Sequence, residues 1–113
     1  MSIYKLEFYP AAKKELDKLD HQTKVYIVQS LSLFIEAYCI EYENELLKQS
    51  KIKRLKGQWK GFYRLRLRNY RVIYEKIDKK LIIHIVRIAH RKEIWASLKT
   101  LYADRSKKKG KIL

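Results

Sequence analysis

Residues 62–77, with the sequence FYRLRLRNYRVIYEKI, decide the fold class of this chain. Apolar side chains take every second position of the first half, at Tyr63, Leu65 and Leu67. That alternation predicts a β-strand with one apolar face, and the opposite face carries Arg64, Arg66 and Arg68. A second alternating segment covers residues 71–77, and Asn69 and Tyr70 between the two predict a tight turn. The stretch therefore predicts an antiparallel hairpin.

Residues 81–89 predict a third strand beside this hairpin. They are nearly continuous in β-branched side chains, which is typical of a central strand covered on both faces. Asp78 and Lys79 predict the turn that precedes it. Further on, residues 92–102 predict a short C-terminal helix, because helical spacing separates Ile94, Leu98 and Leu101.

The N-terminal half predicts one strand and two helices. Its first strand is a short extended stretch with Ile3, Leu6 and Phe8. Pro10 suits the first turn of a helix that runs to about Leu19. Asp20 can cap a second helix, whose apolar stripe is Val28, Leu31, Ile35 and Tyr38. Residues 41–50 are polar and predict the end of this helix followed by a connection.

These elements together predict an α+β fold. The N-terminal strand and the helical hairpin pack on one face of a small, mainly antiparallel sheet, and a short C-terminal helix follows. The other face is left to the arginines. We expect one domain at residues 1–103 and a flexible basic tail at residues 104–113.

Composition excludes several classes of protein. The chain is 47% hydrophobic with three Gly and one Pro, as in a folded domain. It has no apolar run near the roughly 20 residues of a membrane span and no signal-peptide pattern. Cys39, the one cysteine, excludes an internal disulfide framework and a multi-cysteine zinc site, and its apolar surroundings predict burial. These features indicate a cytoplasmic protein.

The net charge of +15 is divided unevenly along the chain. Residues 1–50 hold six lysines and eight acidic residues, whereas residues 51–113 hold 21 basic and four acidic residues. The second half is therefore suited to meet a polyanion. A lysine-rich genome would also raise the charge, but it explains the lysines better than the arginines.

The arginine face and its aromatic neighbours point to RNA. Side chains two apart on a strand are about 7 Å apart, close to the phosphate spacing of a nucleic-acid strand. Arginine binds phosphate bidentately, although charge on a strand can also protect an edge from aggregation. Among the interleaved rings, we expect Tyr70 and Trp95 to touch a ligand, as bases stack on exposed aromatic side chains.

A histidine and an arginine follow the buried strand, at His90 and Arg91. Histidine can move protons near neutral pH, and arginine can neutralise the phosphate of a cleavage step. The four acidic residues of the basic half are scattered, which argues against a two-metal site, and the three glycines form no nucleotide-binding loop. Cleavage without a metal or cofactor is open to RNA, whose own 2′-OH can attack the adjacent phosphate.

The chain resembles the RelE branch of the RelE/ParE toxin family. Four segments carry the resemblance in the family's order and near its spacing: RLKG at residues 54–57, FYRLRLR at 62–68, YRVIY at 70–74 and HRKEIW at 90–95. The resemblance implies a toxin that cleaves mRNA in the ribosomal A site, beside 16S rRNA. It also implies a cognate antitoxin, a small, acidic, helical protein that covers the site.

The resemblance also assigns roles to residues. Arg64 and Arg66 match the basic pair that lines the site, where phosphate binding suits arginine better than a base role. Arg71 matches the residue that stabilises the transition state, and Arg91 the residue near the leaving 5′ oxygen. Trp95 replaces the usual stacking tyrosine, and His90 is an additional acid. The remaining expected RNA contacts are Lys53, Arg54, Lys56, Arg68, Tyr70 and Lys92.

Two other functions fit the same residues. A ParE-like inhibitor of DNA gyrase would share the fold but would not need a preorganised phosphate site. A non-catalytic RNA-binding module would keep the charge and the aromatic rings and lack activity.

Overall fold

The computed structural model describes residues 3–100. A five-stranded sheet forms its centre, with strands β1 (Lys5–Phe8), β2 (Ile52–Arg54), β3 (Phe62–Leu67), β4 (Tyr70–Ile77) and β5 (Ile82–His90) in the order β1-β5-β4-β3-β2. β1 lies parallel to β5, and every other pair is antiparallel. The helices are α1 (Pro10–Asp17), α2 (His21–Ala37), α3 (Ile40–Lys48) and α4, residues 94–100. The predicted α+β class with a mainly antiparallel sheet is confirmed.

The helical hairpin forms for the reasons that the sequence indicates. Pro10 occupies the first turn of α1, where its missing N–H leaves no hydrogen bond unmade. Asp20 caps α2, because its carboxylate accepts hydrogen bonds from the Thr23 backbone N–H at 3.1 Å and the Thr23 hydroxyl at 2.6 Å. The cap fixes where α2 begins and leaves a very short connection after α1.

Residues 41–50 differ from the prediction of a helix end and a connection. α2 ends at Ala37, the backbone turns extended at Tyr38, and Ile40 begins a separate helix that buries Leu46. Cys39 is exposed, so its predicted burial is wrong. Its sulfur accepts the Tyr42 N–H at 3.4 Å and caps α3, a role that the apolar pattern around it concealed.

Two details of the sheet also differ from the prediction. β2 was not predicted. It is three residues long and only Ile52 in it is buried, so its sequence carries almost no alternation of apolar and polar residues. The hairpin turn lies one residue earlier, since Leu67 pairs with Tyr70 and leaves Arg68 and Asn69 as the turn. Arg68 adopts a positive φ of 55°, which closes the turn at that position.

The two faces of the sheet are covered differently. On the first, which we call the helical face, Leu65, Val72 and Ile88 pack with α1 and α2, as predicted, and also with the unpredicted α3. On the other, which we call the second face, a smaller cluster joins α4 to the sheet through Trp59, Phe62, Ile73, Val86, Ile94 and Leu98. The prediction that only arginines occupy the second face is therefore wrong in part, because α4 packs against Phe62 on that face.

No helix within residues 3–100 combines the length and the apolar character that crossing a membrane requires. The predicted tail at residues 104–113 lies outside the described residues.

Candidate functional site

Basic side chains from three strands meet on the second face. Arg66 of β3 pairs directly with Arg71 of β4, and Arg64 of β3 pairs with Lys53 of β2. Paired residues point to the same face of a sheet, and Arg64 shares its row with Ile73 of the second-face cluster. Strand pairing therefore places four basic residues side by side, although eighteen positions separate Lys53 from Arg71.

The arginines form a cluster of like charges. Burial lowers the pKa of the Arg71 guanidinium, and the charges of Arg64, Arg66 and Arg91 lower that pKa further. Burial likewise lowers the pKa of Arg64, with a smaller contribution from Arg66. We call Arg64, Arg66, Arg71 and Arg91 the arginine cluster. Repulsion of this kind disfavours the empty site and is removed when an anion binds.

No member of the arginine cluster forms an ion pair with a carboxylate of residues 3–100. The Nε atom of Arg64 is buried and has no hydrogen-bond partner in the described part of the chain. A buried donor without an acceptor is costly, by about 1–3 kcal/mol, unless a ligand supplies the acceptor. These features make the cluster a candidate anion site.

The backbone of the β3–β4 turn positions two members of the cluster. Arg71 donates from Nη1 to the carbonyl oxygens of Arg68, at 2.9 Å, and Tyr70, at 3.0 Å. The backbone N–H of Arg91 donates to the carbonyl oxygen of Asn69 at 2.7 Å. These contacts hold the start of β4 and the residue after β5 together around one turn.

A cavity of about 470 Å³ adjoins the arginine cluster. Its lining includes Lys53, Lys56, Trp59, Arg64 and Trp95. Trp95 is 59% exposed on α4, whereas Trp59 is buried beneath the cavity in the second-face cluster. The cavity therefore offers an accessible ring and cationic side chains to a flat, negatively charged ligand.

A polar clamp holds α4, and with it Trp95, against the sheet. The Glu15 carboxylate of α1 accepts the backbone N–H of Ile88 through Oε1 and the hydroxyl of Ser97 through Oε2, both at 2.9 Å. The buried Arg87 donates from Nε to the carbonyl oxygen of Ser97 at 3.3 Å. Sequence reasoning missed Glu15 and Ser97, which are 82 positions apart and carry no local signal.

Three of the predicted site residues, Tyr70, His90 and Arg68, lie elsewhere. Tyr70 pairs with His90, and both lie on the helical face because they share a row with Leu67. Arg54, by contrast, pairs with Tyr63 at the end of β2 but still lines the 470 Å³ cavity.

Arg68 has left the strand, and its guanidinium lies 3.9 Å from the centre of the Tyr26 ring of α2. The predicted row of three arginines is therefore wrong at Arg68, because the strand ends one residue before it.

His90 and Lys92 form a local contact. The backbone N–H of Lys92 donates to Nδ1 of His90 at 3.2 Å, so the neutral ring carries its proton on Nε2. The His90 ring also meets the Tyr70 ring edge-on, with centroids 5.6 Å apart. Although His90 precedes Arg91 in sequence, its side chain belongs with Tyr70 rather than with Arg66 and Arg71.

Within residues 3–100, no three His, Cys, Asp or Glu side chains come together as a metal-binding group. The chemistry that the site offers is electrostatic: fixed guanidinium groups around one anion, with a ring beside them.

The fold and the site define a class of protein, a small basic α+β domain with a cluster of arginines on one face of its sheet. The family model for the ParE toxin of the type II toxin–antitoxin system, parDE, matches residues 6–95. The chain belongs to this toxin family, within the RelE/ParE superfamily, and its recognition as a RelE/ParE relative from sequence is confirmed.

Solved structures of RelE toxins share the fold. The toxin in the intact E. coli RelBE toxin–antitoxin complex is 26% identical with a TM-score of 0.57, over 77% of this chain and 95% of that one. A substituted E. coli RelE in the free state is 23% identical with a TM-score of 0.64, over 93% and 98%.

The Mycobacterium tuberculosis RelBE2 complex gives 22% identity and a TM-score of 0.57, over 77% and 96%. A comparison with curated protein sequences finds no match.

Proposed function

We propose that this toxin is a metal-independent endoribonuclease that cleaves mRNA in the ribosomal A site. One observation carries the proposal: strand pairing and the β3–β4 turn bring four arginines close enough for their charges to interact, and none of them has a carboxylate partner in the described chain. The scissile phosphate of RNA is the anion that such a site suits, because it gains charge during cleavage.

The reaction uses the nucleophile that RNA itself carries. The 2′ oxygen bonds to phosphorus as the bond to the 5′ oxygen breaks, which leaves a 2′,3′-cyclic phosphate. The 2′-OH passes its proton to water, and the 5′ oxygen takes one from water. Arg64, Arg66 and Arg71 stabilise the extra negative charge of the phosphate in the transition state. Arg91 lies with them and is suited to the leaving 5′ oxygen.

Burial and neighbouring charges lower the pKa of Arg71, which reflects a positive electrostatic field that a phosphate would relieve.

The remaining predicted residues bind the RNA on either side of the cleaved phosphate. Trp95 stacks on a base at the mouth of the 470 Å³ cavity, while Lys53, Arg54 and Lys56 meet the backbone there. His90 lies with Tyr70 on the helical face, so we place it in contact with the neighbouring nucleotide. Lys92, exposed after β5, adds a further phosphate contact.

We propose a cognate antitoxin as the protein partner, an acidic, helical chain that covers the arginine cluster. The RelE structures similar to this one include complexes with RelB antitoxins. An acidic partner also suits the 21 basic residues of positions 51–113, which in turn suit 16S rRNA and mRNA. These partners place the toxin in the cytoplasm.

A second candidate is a ParE-like inhibitor of DNA gyrase. The description of the matching family model, ParE toxin, favours it. Such an inhibitor acts through protein contacts, and the arginine cluster would then have no phosphate to bind.

One experiment separates the two. The chain is induced in bacteria, growth is followed and transcript ends are mapped for the wild type, Arg71→Ala and Arg91→Ala. Lys79→Ala is the control, because it removes one exposed charge from the turn between β4 and β5, at the opposite end of the sheet. We expect in-frame mRNA cleavage that both arginine variants lose and the control keeps. DNA damage with intact transcripts contradicts the proposal and supports gyrase inhibition.

A further inference from the structure

A second cavity lies behind the turn that carries the arginine cluster. It measures about 250 Å³ and opens between the start of α2 and the β3–β4 hairpin, on the helical face. Its lining residues are Gln22, Thr23, Tyr26, Arg68, Asn69 and Tyr70, and we call it the turn cleft. Arg68 and Tyr70 were expected to contact RNA, but no role derived so far uses the cleft itself or its other lining residues.

The turn cleft and the arginine cluster share one piece of backbone. The carbonyl oxygens of Arg68 and Tyr70 accept from Arg71, and that of Asn69 accepts the N–H of Arg91. The same three residues turn toward the cleft as lining. A ligand that crosses the end of the sheet can therefore contact both sites.

The lining has the chemistry of a nucleobase site. The Arg68 guanidinium, a planar group on which bases can stack, lies 3.9 Å from the centre of the Tyr26 ring, and Tyr70 adds a half-buried ring. Gln22 and Asn69 carry amide groups, which hydrogen-bond to base edges. The lining includes no carboxylate, and the nearby Asp20 is already bonded to the Thr23 N–H and hydroxyl.

The backbone at Arg68 supports a role for its side chain. A φ of 55° in a two-residue hairpin turn favours Gly or Asn, and other residues lose about 1–2 kcal/mol in this left-handed region. Arginine at this position is unfavourable for the turn, yet it places the guanidinium over Tyr26. Strain that persists at a lined cleft is typical of a binding position.

We propose that the turn cleft binds the base of a nucleotide that flanks the phosphate held by the arginine cluster. The base stacks on Arg68 and Tyr70 and hydrogen-bonds to Gln22 or Asn69. His90 meets the Tyr70 ring edge-on beside the cleft. The inference rests on the proposed function for the identity of the ligand as single-stranded RNA, and it adds a second base-binding subsite on the opposite face of the sheet from Trp95.

Photo-crosslinking and binding test the subsite on the full-length chain. Single-stranded RNA with one iodouracil is irradiated with the protein, and the attached peptide is mapped. Affinity for the same RNA is measured at one fixed salt concentration, since salt changes every phosphate contact. We expect cross-links at Tyr26 or Tyr70 and about a tenfold loss of affinity in Arg68→Gln and Tyr26→Leu, as for the loss of one stacked base.

Matched controls separate the subsite from general charge and from folding. Lys79→Gln removes one charge far from the cleft and should change affinity less than about twofold, as expected for a surface charge. Gln22 and Gln29 are both exposed on α2 and lie two turns apart, but only Gln22 lines the cleft. Gln22→Ala should therefore weaken RNA binding, and Gln29→Ala should not. Gln22 is exposed, and its loss leaves the core intact.

The outcomes also distinguish this inference from the proposed function. A chain that cross-links through the cleft but leaves cellular transcripts intact overturns the nuclease and keeps the subsite. A chain that cleaves transcripts, with cleft variants that bind RNA as the wild type does, overturns the subsite alone. If the cleft variants lose affinity for the antitoxin and keep their affinity for RNA, the cleft is a protein contact and the inference is wrong. Absence of RNA binding overturns both.

Discussion

Arg66 and Arg71 face each other across the β3–β4 ladder as direct partners. Like charges in this arrangement destabilise a sheet, and the charge of Arg66 contributes to the lowered pKa of Arg71. The pair stays in place because the opposite side of the same two strands is tied into the core through Leu65 and Val72. The fold therefore maintains an unfavourable contact at the position where we propose that an anion binds.

Removing one of these charges should stabilise the empty protein. We expect Arg66→Gln to raise the free energy of unfolding by about 0.5 kcal/mol, within the range of cross-strand pairs. Urea denaturation measures the change, with and without inorganic phosphate. Phosphate should stabilise the wild type more than the variant, because a ligand stabilises the state that binds it. An equal gain in Lys79→Gln would attribute the effect to net charge rather than to the pair.

Trp95 should matter for binding and little for folding, since its side chain is 59% exposed. Trp95→Ala is expected to lower RNA affinity about tenfold, in line with the loss of one base stack. Trp95→Tyr keeps a stacking ring and should retain most of the affinity. Leu33→Ala, at an exposed apolar position of α2, is the matched control. Equal losses for the tyrosine and alanine variants would show that stacking is not the role of Trp95.

The clamp on α4 gives a third prediction. In Glu15→Ala the Ile88 N–H and the Ser97 hydroxyl both lose their acceptor, which should cost about 1–3 kcal/mol for a buried donor. Glu15→Gln should recover much of that loss, because an amide oxygen still accepts the Ile88 N–H. Ser97→Ala should leave the Ile88 contact and weaken only α4.

Hydrogen exchange at the Ile88 amide, together with denaturation, measures the three variants of the clamp. Unchanged exchange in Glu15→Ala would contradict the clamp.

A buried ion pair on the helical side of the sheet should make the free energy of unfolding depend on pH in the alkaline range. Glu43, 2% exposed, accepts the Tyr74 hydroxyl at 2.7 Å and pairs with Lys76 at 2.8 Å. Burial raises the pKa of Tyr74, and the charge of Glu43 raises it further. Burial lowers the pKa of Lys76, but the hydrogen bond and charge of Glu43 outweigh it and leave that pKa above 10.5.

Both groups hold their protons more tightly in the folded chain than in the unfolded one. Their contribution is complete below the unfolded pKa values of 10.0 and 10.5 and is lost as pH rises above them. The free energy of unfolding should therefore fall above about pH 10. Glu43→Gln should cost about 3 kcal/mol near neutral pH, as for a broken buried pair, and should flatten the alkaline decline. Denaturation between neutral pH and pH 11 tests this against Lys79→Gln.

Local patterns predicted most of the fold. The alternation in residues 62–77, the Asp20 cap and the apolar residues 81–89 each specify their element through neighbours in sequence. α3 and β2 were missed because their signals are weak: Cys39 is an unusual cap, and β2 has one buried residue.

The site was predicted only in part, because some of its residues are set by local patterns and others by contacts between distant segments. Strand alternation places Arg64 and Arg66 on one face, but the facing of Arg66 and Arg71 depends on where the turn begins. A turn one residue earlier than expected moved Arg68 onto Tyr26. His90 lies with Tyr70 because the pairing of β4 with β5 fixes its face, and Glu15 meets Ser97 through tertiary packing alone. Such relationships are set by contacts between distant segments, which a single sequence does not display.

The pairing of Leu67 with Tyr70 restricts the insertions and deletions that this hairpin can tolerate. Because side chains alternate between faces, deleting one residue within β3 or β4 would exchange the arginines with Leu65 and Val72 and ruin core and site together. Deleting or inserting two residues would preserve the alternation. Length variants of this hairpin that survive selection should therefore differ by even numbers, and odd changes should occur only inside the turn.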